Sequence, residues 1–294
     1  MTKSEHYKEL KIRKKNGSIR VLHAPDEVMR AAQYQLLKKV LEHIVIPDYV
    51  YAFEKEKSIP EMAANHVDKA VVISIDIKDF FHSIKQRLIE SILLGLDIGT
   101  KPARTISELC TYQSFVPQGG LTSPKIANMV TAATFGPKLS EYCTANNLTL
   151  TIYADDVTVS SVSPEIDPWK IITDISAVIM ELGFKVNVEK TKVMRKGARQ
   201  YVCGVVVNKK VNLWVVERKK LRAIVTNVTR NGVEAEAAKC NMEVDAFLRH
   251  IKGRLNWFRQ LNPVQGDRYM QQLQTYLQNL PSEVASQNQV QILV

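Results

Sequence analysis

Thr149-Leu150-Thr151-Ile152-Tyr153-Ala154-Asp155-Asp156-Val157-Thr158-Val159 is the stretch on which the reading of this chain turns. Two β-prone runs flank an acidic pair with no glycine or proline between them, which predicts a hairpin carrying both carboxylates at its turn. Adjacent side chains on a strand point to opposite faces, but at a tight turn two of them can converge on one point. Two like charges held close are costly unless a cation neutralises them, and a divalent metal is the natural partner. Taken alone, an Asp-Asp turn is more often simply solvated. A third acid far upstream changes that reading.

The third acid is Asp76, in Ala70-Val71-Val72-Ile73-Ser74-Ile75-Asp76-Ile77-Lys78-Asp79-Phe80-Phe81. The apolar run has the length and β-branching of a buried strand. An aspartate inside it is expensive unless it is ion-paired, hydrogen-bonded or bound to metal. Two strands delivering acids to a common point are what is needed to clamp two Mg2+ ions for in-line phosphoryl displacement. One ion would activate a 3′-hydroxyl, and the other would hold a triphosphate and its leaving group.

The rest of the composition agrees with a polyanion partner. The chain has 294 residues, enough for a sizeable core and two or three subdomains, and a net charge of +10. No apolar run approaches the ~20 residues needed to span a bilayer, so no membrane association is expected. Cys110, Cys143, Cys203 and Cys240 are far apart with no CxxC pair, which suits reduced thiols in a cytoplasmic protein.

The first forty residues carry ten Lys and Arg against four Asp and Glu. Within them, Lys11 to Leu22 predicts a basic hairpin with Asn16-Gly17 at its turn. Pro25 and Asp26 open a helix with Val28, Tyr34, Leu37, Val40, Leu41 and Ile44 as its apolar positions, and Pro47 ends it. His66 reads as a structural histidine. Helices are predicted over 83–95, 102–113, 124–146 and 168–182. Pro117-Gln118-Gly119-Gly120-Leu121-Thr122-Ser123-Pro124 is a Gly-rich turn ahead of the third of these, where a nucleotide can approach the backbone. Phe184 to Val193 predicts a strand-and-turn unit, Gln200 to Asn208 a hairpin arm, and the chain from about 217 is helical. Residues 209–294 hold thirteen basic against seven acidic residues, as suits a grip on a duplex backbone. The stretch after Pro281 is polar.

Taken in order, these segments resemble a reverse transcriptase, and most of all the retron branch of that family. Ile75 to Phe81 is similar to its first acidic motif, Pro117-Gln118-Gly119 through Ser123-Pro124 and Ala127-Asn128 to its nucleotide-pocket motif, and Tyr153-Ala154-Asp155-Asp156 to its signature. Gly183-Phe184 through Asn187, with Lys190-Thr191, resembles the motif that follows. Met62-Ala63-Ala64-Asn65-His66 and Val202-Cys203-Gly204 each depart by one residue from the Asn-Ala-x-x-His and Val-Thr-Gly of retron enzymes. Ile152 stands where relatives often have Arg.

The resemblance implies an α+β right-hand fold: fingers over 1–70, a palm over 71–208 whose antiparallel sheet packs on helices, with further finger elements near 83–120, and a helical basic thumb over 209–294. It implies that Asp76 and Asp155 bind two Mg2+ ions, with Asp156 less intimate. Ile77, Lys78, Asp79, Phe80, Phe81, Gln118 and Tyr153 would line the nucleotide pocket, with Phe81 under the sugar to exclude a ribose 2′-hydroxyl. Arg13 and Arg20 would contact phosphates. Lys190 or Lys192 would protonate the pyrophosphate leaving group. Gly204, Arg218, Lys219, Lys220, Arg249, Lys252 and Arg254 would touch nucleic acid.

The biology implied is copying of a cognate structured non-coding RNA from dNTPs, primed at a guanosine 2′-hydroxyl, into branched RNA–DNA (msDNA), in anti-phage defence in the bacterial cytoplasm. With no room for a fused effector or RNase H domain, a separate toxin and host RNase H are the expected partners. The alternatives are a group-II-intron-like or other defence-associated reverse transcriptase, and an inactive RNA-binding scaffold.

Overall fold

The structure, a computed structural model, describes residues 3–13 and 17–279. Asn16 of the predicted basic turn and the polar stretch after Pro281 lie outside the described residues. The chain divides into two compact units between Cys203 and Gly204.

The first unit opens with an antiparallel pair, β1 (Tyr7–Arg13) and β2 (Ile19–Pro25), in which Arg13 faces Ile19 and Ile12 faces Arg20. α1 (Glu27–Lys39) follows, capped by the Asp26 carboxylate, which accepts from the Met29 N–H at 2.8 Å. Its inward stripe is Met29, Gln33 and Leu36, whereas Val28 and Tyr34 are exposed. The expected helix stops at Lys39 instead of running to Pro47, with a separate 3-10 turn at Leu41–His43; of its expected apolar positions, Leu41 is buried and Leu37, Val40 and Ile44 pack against the core, while Val28 and Tyr34 do not. A polar residue, Gln33, sits in the core because its amide is fully hydrogen-bonded.

After α2 (Ile59–Ala64) comes β3 (Val71–Lys78), then the single-turn α3 (Phe80–Ser83), α4 (Gln86–Gly95) and α5 (Thr100–Leu109). The helix expected over 124–146 is two: α6 (Ser123–Ala133) and α7 (Phe135–Ala145), broken at Thr134. Gly136, the second residue of α7, sits where a Cβ would meet the Thr131 carbonyl oxygen at 2.5 Å and the Tyr49 hydroxyl at 2.9 Å. β4 (Thr149–Tyr153), β5 (Asp156–Ser161), α8 (Pro168–Glu181), β6 (Lys185–Arg195) and the short β7 (Tyr201–Val202) complete this unit.

Four strands form one antiparallel sheet in the order β4-β5-β3-β6. Alternation along β3 decides which face holds chemistry. Val71, Ile73, Ile75 and Ile77 join a core with Ile126, Val130, Leu139, Ile175 and Ile179 of the helices, and Val157 and Val159 of β5 do the same. Burying each such side chain stabilises the unit by ~1.5–3 kcal/mol. Ser74 and Asp76 on β3, and Asp156 and Thr158 on β5, therefore occupy the opposite face.

The second unit is helical: α9 (Val215–Asn231), α10 (Val233–Lys239), α11 (Val244–Leu261) and α12 (Pro263–Gln278). Leu221, Val225 and Val228 pack with Phe247, Ile251, Leu255, Phe258 and Leu273, the three-to-four spacing of inward helix faces. Among the described residues no helix is long and apolar enough to cross a membrane, and all four cysteines are free thiols.

Candidate active site

Asp76 lies directly across from Asp156 in the β3–β5 ladder. Asp155 occupies the turn between β4 and β5, next to Ala154, whose φ is +53°. The Asp155 carbonyl accepts a 2.7 Å bond from the Ile77 N–H, which locks the turn to the strand bearing Asp76. Two adjacent strands thus bring three carboxylates to one edge of the open sheet face.

Their electrostatics are those of crowded, part-buried anions. Burial lifts Asp155 above the usual carboxylate range and the Asp76 charge adds to it, while Lys190 and Arg20 pull the other way. Asp156 is lifted by burial, and by Asp155 and Asp76, against the Ser74 hydroxyl. That hydroxyl donates to Asp156 Oδ1 at 3.0 Å. On the other oxygen, Oδ2, the Cys203 thiol donates at 3.9 Å. Burial, with the charges of Asp156 and Asp155, pushes Cys203 up to about 12, so it stays a protonated donor.

The Lys190 ammonium bridges both oxygens of Asp76, at 3.0 and 3.1 Å. It can do so because β6 bulges: Ser74 pairs with Lys192, and Asp76 with Asn187. Lys192 goes elsewhere, donating to the Tyr201 hydroxyl at 2.7 Å. Of the two lysines left open by the sequence, Lys190 is the one at the carboxylates. Among the described residues no three His, Cys, Asp or Glu side chains are gathered to hold a metal ion. Asp76 is turned to Lys190, and Asp156 to Ser74 and Cys203. The donor chemistry nonetheless fits a hard divalent cation: carboxylate oxygens whose charges are short of counter-ions.

Downstream of Asp76, Asp79 takes a left-handed backbone, φ +49°, and opens α3. Lys78 and Asp79 are exposed and Phe81 is half-buried, but Ile77 and Phe80 face the core. The Phe80 ring packs 5.6 Å from Phe184 and 6.2 Å from Phe135. Only the backbone of Ile77 and Phe80 is therefore available to a nucleotide. Half-buried Gln118 accepts from the His23 N–H at 2.7 Å through its carbonyl, tying the Gly-rich turn to β2. Gly119, at φ +113°, has the His23 carbonyl oxygen 3.1 Å from where a Cβ would stand. Gln33 braces the same turn: its amide donates to the Tyr7 hydroxyl and the Leu109 carbonyl and accepts from the Leu121 N–H. Arg13 and Arg20 are both exposed but project from opposite faces of their hairpin, by the register above. Only Arg20 acts on Asp155.

Tyr153 is half-buried, 6.1 Å ring to ring from Phe53. Phe53, Ser74, Gln33 and the bulge escaped the sequence reading. A serine beside Asp76 on the same strand face, and a glutamine in an apolar helix stripe, were the available signals.

In the second unit Gly204 has φ +82°, and Lys219, Lys220 and Arg249 are exposed while Arg218, Lys252 and Arg254 are half-buried. Glu217 bonds both Lys220, at 3.1 Å, and Arg254, at 2.9 Å. Arg249 and Lys252 share a helix face on α11.

Residues 12–248 match the reverse transcriptase (RNA-dependent DNA polymerase) family. The Retron Mx65 reverse transcriptase of Myxococcus xanthus is 30% identical over 282 residues, 90% of this chain and 63% of that protein. The Retron Ec86 reverse transcriptase of Escherichia coli is 25% identical, covering 71% of this chain and 65% of its own length. The chain thus spans a little under two thirds of these curated relatives. Among solved structures, telomerase from Candida albicans in complex with a telomeric RNA fragment superposes with a TM-score of 0.52 at 10% identity, covering 98% of this chain and 66% of that one. A foamy viral protease-reverse transcriptase in complex with double-stranded DNA superposes with a TM-score of 0.50 at 15% identity, covering 86% and 36%. At these identities the likeness is one of fold: the right-hand polymerase, with mixed helices and an antiparallel sheet.

Proposed function

The chain belongs to the reverse transcriptase (RNA-dependent DNA polymerase) family, and from that premise we propose that it is a retron enzyme copying its cognate structured non-coding RNA into branched RNA–DNA. The observation that carries the reading is the facing of Asp76 and Asp156 across β3 and β5 with Asp155 in the adjoining turn. Its retron relatives support the choice of branch.

In this reading Asp76 and Asp155 hold two Mg2+ ions, and Asp156, tethered by Ser74 and Cys203, keeps the turn in place. Bound there, the ions would supply charge neutralisation for the attacking hydroxyl and the leaving pyrophosphate. Lys190, which now bonds Asp76, would be freed when that carboxylate holds a cation, and its ammonium would then be the group to hand a proton to the leaving group. Lys78, Asp79 and the neighbouring backbone face the triphosphate, with Arg20 adding positive charge and Gln118 and Tyr153 bordering the pocket. Phe81 lies under the sugar and rejects a 2′-hydroxyl by clash.

The sheet-bearing residues 71–208 act as the palm, with 1–70 and about 83–120 as fingers and 209–294 as the thumb. Gly204, Arg218, Lys219, Arg249 and Lys252 lie along the nucleic acid; Lys220 and Arg254 contribute less, being held by Glu217. Priming from a guanosine 2′-hydroxyl, trimming by host RNase H, and a separate effector in anti-phage defence in the cytoplasm complete the reading.

The test is to express the chain with its flanking genomic DNA and sequence the nucleic acid that copurifies. Short single-stranded DNA joined to RNA through a 2′–5′ branch is the expected product. Linear cDNA of diverse origin would move the enzyme to another defence-associated or intron-like class, and no cDNA at all would leave an RNA-binding scaffold.

A further inference from the structure

Phe53 is an aromatic residue in the wrong place for stability. Its ring is 49% exposed and its backbone has φ +60°, a region that L-residues avoid. Each feature costs the fold free energy, and neighbouring contacts hold both in place. On one side, buried Ala52 offers its carbonyl to the Asn128 amide. On the other, Glu54 is bonded by Asn128 at 2.9 Å and by Lys125 at 3.1 Å. Upstream, Tyr51 donates to the Ile152 carbonyl at 2.9 Å, which lashes this segment to β4. With both flanks tied down, the chain between them can only turn outward, and it presents Phe53.

The ring lies at a junction of the motifs already described. It is 6.1 Å from Tyr153, two residues before Asp155. It also walls a cleft of about 440 Å3 with Leu37, Leu121 and Pro124, the last two from the Gly-rich turn. The Glu54–Lys125 ion pair lines the same cleft. Apolar walls for ring faces, with charged groups for polar edges, suit one planar heterocycle, and the volume lies within the ~300–1,000 Å3 of pockets that hold small ligands.

We propose that this cleft receives a single unpaired base of the template strand as it approaches the carboxylates, stacked on Phe53. The inference rests on the polymerase reading above and deepens it by assigning a positioning role to a residue outside the four motifs. Stacking on an aromatic side chain is tolerant of base identity, as a template cleft requires.

The probe is a DNA primer annealed to an RNA template carrying 2-aminopurine at the first unpaired template position. On binding the wild-type chain its fluorescence falls as the base stacks. Phe53→Gly abolishes that fall and raises KM for primer–template at least ~5-fold, the lower end of what losing a stacking aromatic costs, while kcat stays within about twofold. Phe53→Trp keeps the quench. Because glycine accepts φ +60° without strain, Phe53→Gly still folds with a cooperative melt, which separates lost stacking from lost folding. Equal fluorescence in wild type and Phe53→Gly, or an unchanged KM, overturns the proposal. The double variant Asp155→Asn, Asp156→Asn should quench the probe yet make no DNA; if it extends primers, the polymerase reading of the carboxylates fails independently of the cleft.

Discussion

Asp155 and Asp156 hold their protons more tightly in the folded chain than an ordinary carboxyl does, through burial and neighbouring carboxylates. The folded state therefore binds protons that the unfolded chain has already lost, and stability falls as pH rises from the usual carboxylate range through their raised values. Replacing both by asparagine removes that penalty. The double variant should melt higher than wild type at pH 7 in EDTA and show a flatter pH dependence above the ordinary range, while DNA synthesis is abolished. Thermal melts across a pH series check the first part, and primer extension the second; a wild-type pH profile in the variant would count against the crowding of these carboxylates. At Phe81, truncation to alanine should admit ribonucleotides, read as primer extension with rNTPs alone. If exclusion persists, another residue supports the sugar.

At the scale of elements, His66 braces the acidic hairpin in addition to the backbone ladder that joins β4 and β5. It is fully buried, and its two ring nitrogens bond Ser160 on β5 at 2.7 Å and Thr151 on β4 at 2.8 Å. Burial lowers its pKa from 6.5 to about 3, so it is a neutral strut. Between 6.5 and about 3 only the unfolded chain carries the imidazole proton, so the stability His66 confers is lost as pH falls across that range. His66→Ala should cost ~1–3 kcal/mol at pH 7, from two hydroxyls left without partners, and should flatten the acid limb of the stability profile. Denaturant melts at pH 5 and 7 decide it. The strand runs, the hairpin and the acids upon it were legible because β-branched stretches with a single embedded Asp have few other physical solutions. The inward positions of α1's first turns were not, since Val28 and Met29 are both apolar and the inward place of Gln33 follows from its hydrogen bonds to Tyr7, Leu109 and Leu121. The break at Thr134 was hidden too: the run from 124 to 146 is apolar at helical spacing throughout, and the close approach of Tyr49 to Gly136 just beyond the break comes from a residue remote in sequence.

Over the whole molecule, a charge of +10 suits a polyanion partner, yet sequence could not say which cations are already engaged. Glu217 occupies Lys220 and Arg254, whereas Arg249 and Lys252 stand together on α11. Arg249→Ala with Lys252→Ala should therefore lower the slope of log K for RNA against log salt by about 1.5, two phosphate contacts at ~0.7–0.9 each. A filter-binding salt series would show it, and an unchanged slope would place these two residues off the RNA path. The carboxylates and the lysine that meets them differ in how they are mounted. Asp76 and Asp156 are fixed by paired strands, where shifting register by one residue would turn either acid to the core face. Lys190 rides in the bulge, where β6 spends the five steps from Asn187 to Lys192 against two on β3. A residue inserted or deleted there re-aims the amine and leaves every carboxylate where it was. Heritable variation in chain length can thus move the ammonium separately from the anionic frame, and a laboratory library of bulge lengths would explore the same freedom.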